Sequence, residues 1–357
     1  MIVVDAHCDS PSQMYRLRDF GMDNAFAQVD FPKLRRGGVD CSFFAAYIPP
    51  RLEGQAATDY CFALLDEAWR QVEANSDKVA FARCASSIRR NRAAGLNSVL
   101  LAIENASAVQ NDLGLLREFK RRGVRCITLV HSADNQVADS CSGKGTWGGL
   151  SPFGRELVAE MNRLRIMVDL AHASDATMRD VIAASKVPVA YTHGCCRALA
   201  SHRRNISDEL LRALADNGGI ACMSIYPLFL SDEFARVFDA SGLEAKCAVE
   251  DAFIADPGCA AKREAWEQVQ RELQALPRPG VDRVADHIEH AVCVAGIEHV
   301  GIGTDYDGIE MTAAGLESVE KFPSLWEELS RRGFSRKEID LIAGGNMLRV
   351  MREVRKG

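Results

Sequence analysis

The chain has 357 residues, 47% of them hydrophobic and 26% charged, a composition ordinary for a soluble globular protein and long enough for one large α/β barrel or two smaller domains. Its net charge is −6, and basic residues fall in scattered pairs such as Arg35-Arg36, which excludes a dedicated nucleic-acid surface. No apolar run approaches the ~18 residues of a membrane span, and the start of the chain lacks the basic and long apolar regions of a secretory signal.

The predicted elements begin at once. Ile2-Val3-Val4 opens a strand that ends in His7-Cys8-Asp9, and alternation along a strand puts His7 and Asp9 on one side, an imidazole and a carboxylate suited to a divalent cation. Residues 12–36 read as helix and turns. A second strand, Val39 to Ile48, stops at Pro49-Pro50. Residues 54–75 carry apolar side chains at helical spacing. The run from Ser98 to Glu104 is a third strand, apolar until its last residue, followed by helix 111–122 and a fourth strand, Val124 to His131.

A Gly-rich loop over 132–150 leads to a helix, Phe153 to Leu164, and then to a fifth strand, Ile166 to His172. The sixth runs from Val187 to His193. Ser207 caps a helix closed by Gly218-Gly219, and the seventh strand is Ile220 to Tyr226. Residues 228–280 are charged and helical in pattern, broken at Pro257-Gly258 and Pro277-Arg278-Pro279-Gly280; they read as an insertion. Helix 281–296, an eighth strand from His299 to Asp305, and helix 335–354 with a Ser335/Glu338 capping box complete the chain. Eight apolar strands alternating with helices predict a single (β/α)8 barrel over 1–357, and no Gly-x-Gly-x-x-Gly supports the rival doubly wound sheet.

Barrel chemistry gathers at the C-terminal strand ends. Four of the eight histidines, His7, His131, His172 and His193, fall there, with Asp9, Glu104 and Asp305. Two cations need a bridging carboxylate, and Glu104, ending an apolar strand, is the candidate. His7 and Asp9 with Glu104 would hold one ion, and Glu104 with His172 and His193 the other, with a water or hydroxide between them.

Twelve cysteines are too few for a disulfide scaffold, and no Cys-x-x-Cys occurs. Cys41, Cys126, Cys222 and Cys293 lie in apolar runs, where a thiol packs as a small hydrophobe. A reducing cytoplasm and a soluble, unanchored protein are expected.

Asp5-Ala6-His7-Cys8-Asp9-Ser10-Pro11, Ile103-Glu104-Asn105-Ala106, Leu129-Val130-His131 with Asn135, and Gly149 to Gly154 form an ordered series of motifs. Asp169-Leu170-Ala171-His172, His193 with Arg203-Arg204-Asn205, Gly301 to Gly308 and Gly344-Gly345-Asn346 continue it. In this series the chain resembles the membrane (renal) dipeptidase family, the M19 metallopeptidases, from residue 5 to 346. The resemblance implies two zinc ions on the ligand set above. It assigns His131 to polarising the scissile carbonyl, Arg204 to the dipeptide carboxylate, and Asp305, in preference to Asp307, to moving the proton. It also implies a small dipeptide substrate, with a D-residue tolerated at the C-terminal side, and leans to a homodimer. Cys8 stands where relatives often have Asn and Ala171 where they often have Ser; Cys8 alternates away from the ligand face and is expected to pack. A related hydrolase of N-acyl amino acids or lactams is the alternative, since those substrates carry the same carboxylate. A barrel that binds metal without catalysis is the remote one.

Overall fold

The structure is a computed structural model describing all residues except 17, 25–26, 244–248, 250–251, 254–255, 257 and 357. Its parallel strands are β1 (Val4–Cys8), β2 (Cys41–Tyr47), β3 (Val79–Phe81), β4 (Asn97–Glu104), β5 (Val124–Thr128), β6 (Met167–Asp169), β7 (Ala190–Gly194), β8 (Ile220–Met223) and β9 (Val300–Ile302). Neighbours follow the order β2-β1-β9-β8-β7-β6-β5-β4, and β2 pairs with β4 from Cys41 to Tyr47, closing an eight-stranded barrel ringed by helices. β3 is extra. It pairs with Asn97–Val99 at the start of β4, whereas β5 pairs with Leu101–Glu104 further along.

Strand alternation sorts the apolar side chains into two cores. Phe44, Ala46, Leu101 and Ile103 face the helices, whereas Cys41, Phe43, Ala45, Leu100 and Ala102 fill the barrel. Cys126 and Cys222 also pack inside, as small apolar groups. Cys293 differs from the expectation: it is exposed, because its helix Val281–Ala295 turns that position to solvent. The N-terminal end of the barrel is plugged by Met347, Leu348 and Met351 of the last helix, Asn346–Glu353.

The Ser335/Glu338 capping box forms, but the helix does not run unbroken to 354. A π-turn at Leu341–Gly345 interrupts it, where a Cβ on Gly344 would stand 2.5 Å from the Ile2 carbonyl. The kink is set by the close crossing over the start of β1. β3 and the helix Ala85–Ala93 were not anticipated, since three residues carry no readable period. β5, β6 and β9 end earlier than the sequence pattern implies, so His131, His172 and Asp305 lie just past their strands. His172 and Asp305 leave the ladder through left-handed backbone, with φ of 65° and 70°. Such a conformation costs about 1–3 kcal/mol per residue and concentrates at functional sites.

Between β8 and β9 the described residues form helices Pro227–Leu230, Asp232–Ser241 and Ala260–Ala275. Phe234, Phe238, Val269 and Leu273 make a small core there with Met311. Met311 follows Ile309 and Glu310, so the insertion rests on the rim of the barrel mouth. The predicted break at Pro257 lies outside the described residues. Among the described residues no helix is long and apolar enough to cross a membrane.

Candidate metal centre

Glu104 closes β4 with its side chain buried among three imidazoles. His172 Nε2 is 2.9 Å and His193 Nε2 3.4 Å from Glu104 Oε1, and His7 Nε2 is 3.6 Å from Oε2. On the other side of His7, Nε2 lies 3.8 Å from Asp9 Oδ2 and 3.9 Å from Asp305 Oδ1. Glu104, His131 and His172 form a further group with donor atoms within 4.8 Å of one another. All seven strand-end residues singled out from the sequence therefore meet at one mouth, with Glu104 between the two halves. Cys8 packs away from them, its Sγ 3.2 Å from Ser42 Oγ and 3.4 Å from the Phe43 carbonyl.

The donors are left open for a cation. His7 Nε2 and Asp9 Oδ1 are buried without a hydrogen-bond partner, and His172 Nε2 faces His193 Nε2 at 3.1 Å. His193 Nδ1 lies 3.0 Å from Thr192 Oγ1, whose hydroxyl proton goes to Asp169 Oδ2 at 2.7 Å. Nδ1 must then be the donor, which leaves Nε2 with a free lone pair aimed at Glu104. A four-histidine, three-carboxylate pocket with such unsatisfied atoms fits divalent metal ions.

Titration follows the same crowding. Burial would raise Glu104, but the His7 charge and the close imidazoles of His172 and His193 hold it well below the ordinary carboxylate range. Burial would lower His7, yet Glu104 and Asp9 hold it well above the usual value. His172 and His193 are pushed well down, first by burial, with Arg204 adding to the effect on both. Burial and then Glu104 push Asp9 up to about 7. Burial also lifts Asp305 well above its ordinary range. In the metal-free cluster the His7 imidazolium therefore offsets the Glu104 charge, where a bound cation would otherwise do so.

Two buried carboxylates beneath the centre stand in the sequence motifs, but the sequence assigns them no role. Asp5 accepts from Thr304 N (2.9 Å), Thr304 Oγ1 (2.8 Å) and His7 N (3.4 Å). Asp169 accepts from Thr192 N and Oγ1, Ala171 N and Thr128 Oγ1. They lock the chain that carries His7, His172 and His193. The available signal was an aspartate two residues before His7 and three before His172. Gly308, which closes the Gly301 to Gly308 motif, gains its role from the structure: a Cβ there would lie 1.9 Å from Asp9 Oδ2 and 2.8 Å from Asp305 Oδ1, so only glycine lets that loop approach.

Above the centre is a cavity of about 510 Å³ lined by Asp9, Tyr47, His131, Tyr226, Phe229 and Asp305, among others. His131 lies between Tyr47 and His172, with ring centroids 4.7 and 4.1 Å away, and burial lowers its pKa, so it is neutral at pH 7. Asp307 is tied to Arg18 at 3.1 Å and to Ser10 at 2.8 Å, unlike Asp305, which makes neither contact. Arg204 is only 5% exposed. Its Nη2 donates to the His193 carbonyl at 3.1 Å, its guanidinium lies 5.2 Å over Phe229, and its Nε and Nη1 have no partner.

A closed parallel barrel that converges buried histidines and carboxylates on one mouth defines a metal-dependent hydrolase. The family model of membrane dipeptidases, peptidase family M19, matches residues 1–356, and the chain belongs to that family and is a metallo-dipeptidase. It is 34% identical to the dipeptidase verJ of Clonostachys rogersoniana, over 92% of this chain and 76% of that one. It is 33% identical to the dipeptidase aclJ of Aspergillus oryzae, over 96% and 74%. Among solved structures, the probable dipeptidase PvdM of Pseudomonas aeruginosa superposes with a TM-score of 0.83 at 24% identity, covering 100% of this chain and 96% of that one. A Rhodobacter sphaeroides metallopeptidase, liganded with a phosphinate mimic of L-Ala-D-Ala, gives 0.82 at 22%, covering 99% of each.

Proposed function

We propose that this metallo-dipeptidase uses two zinc ions to cleave small L-Xaa-L/D-Xaa dipeptides. His7, Asp9 and Glu104 would hold one ion and Glu104, His172 and His193 the other; such a pair supplies Lewis acidity at the carbonyl and a water acidified toward ~7. Asp305, its pKa already raised, takes the proton from the attacking water and returns it to the leaving amine. Neutral His131 donates to the oxygen on which negative charge develops. Arg204 takes the substrate's free carboxylate.

The observation that carries this reading is Arg204, a buried fork with two unused N–H donors beside the histidine cluster. A guanidinium held that way suits a carboxylate, and leaving its donors unmet costs about 1–3 kcal/mol each. The soluble, cytoplasmic setting and a homodimer remain part of the proposal. The test is a stereoisomer panel of dipeptides set against N-acyl amino acids and lactams, run before and after chelation and after reloading with Zn, Mn, Co or Fe. Dipeptide turnover should vanish on chelation and return best with zinc. Full activity in metal-free protein, or preference for N-acyl substrates, would overturn it.

A further inference from the structure

At the opposite, N-terminal end of the barrel, four arginines surround one shallow pocket: Arg83, Arg125, Arg165 and Arg355, with Cys84 at its edge and Met351 and Val354 of the last helix in its floor. Lys120 stands behind them, donating from Nζ to the Arg165 carbonyl at 3.0 Å and accepting at its own carbonyl from Arg125 Nη1 at 3.1 Å. Among the described residues none of these five cations has a carboxylate within ion-pair distance. Neighbouring arginines do: Arg117, Arg121, Arg122 and Arg163 each pair with Glu or Asp. In a chain of net charge −6 acidic partners are plentiful, so the unpaired cluster is a local choice.

The crowding is costly. Burial and then the surrounding arginines bring Lys120 down to about 7 and Arg125 to about 10. Arg165 is also held in left-handed backbone, φ 59°, at the end of the helix Pro152–Leu164.

We infer that this cluster is a binding site for a phosphate-type oxyanion, either free phosphate or the phosphate head of a larger molecule. Four arginines lining one pocket without a carboxylate suit a dianion with three or four acceptor oxygens better than a single carboxylate. The enclosed space is only about 20 Å³, so the anion sits across the rim and the body of any larger ligand stays outside.

Cys84 reports on the site, because it lines the same pocket and is half-buried. The rate of its alkylation by iodoacetamide should be measured in the metal-loaded protein by peptide mass spectrometry, with phosphate or glycerol phosphate replacing KCl at constant ionic strength. Cys141, Cys259 and Cys293 serve as internal controls. Saturable slowing at Cys84 alone is expected, and in Arg83→Gln/Arg355→Gln the protecting concentration should rise about tenfold while dipeptide turnover is unchanged. Tighter protection by glycerol phosphate assigns the head group of a larger molecule; equal or weaker protection assigns free phosphate. No slowing beyond that in KCl, or equal slowing at all four cysteines, overturns the proposal. Should the double variant fail to fold, Arg355→Gln alone, at an exposed position, carries the same comparison.

Discussion

Asp5 and Asp169 lie within a few residues of Glu104, Asp9 and Asp305 in the barrel, equally buried, yet the two sets are treated oppositely. Burying a carboxylate costs several kcal/mol. Asp5 and Asp169 recover part of it locally: each accepts from backbone N–H groups and threonine hydroxyls, at about 1.5–3 kcal/mol for each bond to a charged group, although burial still lifts Asp5 to about 6. Glu104 has only imidazoles around it, and Asp9 Oδ1 has nothing. Saturated carboxylates build the frame; unsaturated ones wait for a cation.

The sharpest way to break this comparison is Glu104→Gln. It removes the charge shared by both candidate ion sites, so metal content should fall from two ions to one or none and kcat/KM by ~10⁴ or more, read by elemental analysis beside kinetics. Retention of both ions would end the bridging assignment. Asp305→Asn should lower kcat by ~10²–10⁴ with metal content and fold intact, because it removes a proton carrier and leaves the Glu104 group of ligands untouched. Arg204→Lys keeps the charge but loses the fork; KM for a dipeptide should rise by ~10² while metal content stays unchanged.

Asp169→Asn tests the frame. Loosening the Thr192–His193 tautomer lock should weaken metal affinity by only ~10–100-fold, measured by competition with a chelator. A loss as complete as that of Glu104→Gln would erase the distinction drawn above. The smallest effect is in pH. Asp9 in the metal-free protein is raised to about 7, so below that pH a cation must displace its proton. Affinity at the His7/Asp9 site should fall by a further ~tenfold per unit as pH drops below about 7, with the Asp9 proton released in calorimetry in addition to that of His7, which is held protonated well above its ordinary range.

Much of this was legible in the chain. The strand-end histidines and acids could be read from apolar runs that stop at a polar residue, and they converge as expected on Glu104. The strand limits were less legible. His131, His172 and Asp305 look like the last residues of strands by hydrophobicity, but each strand ends three residues sooner. The left-handed backbone at His172 and Asp305 has no glycine to announce it, because contacts from other loops enforce it. Asp307 and Asp305 are indistinguishable by spacing; only Arg18, reaching across from the β1 loop, separates them.

The order of apolar segments and the identity of the ligating side chains are properties of the sequence itself, since period-2 alternation and donor chemistry act residue by residue. Which carboxylates are satisfied, which way His193 carries its proton, and where five basic residues gather without a carboxylate were decided by tertiary structure. Those outcomes depend on hydrogen bonds and charges between residues tens to hundreds of positions apart, and no local pattern encodes such distances.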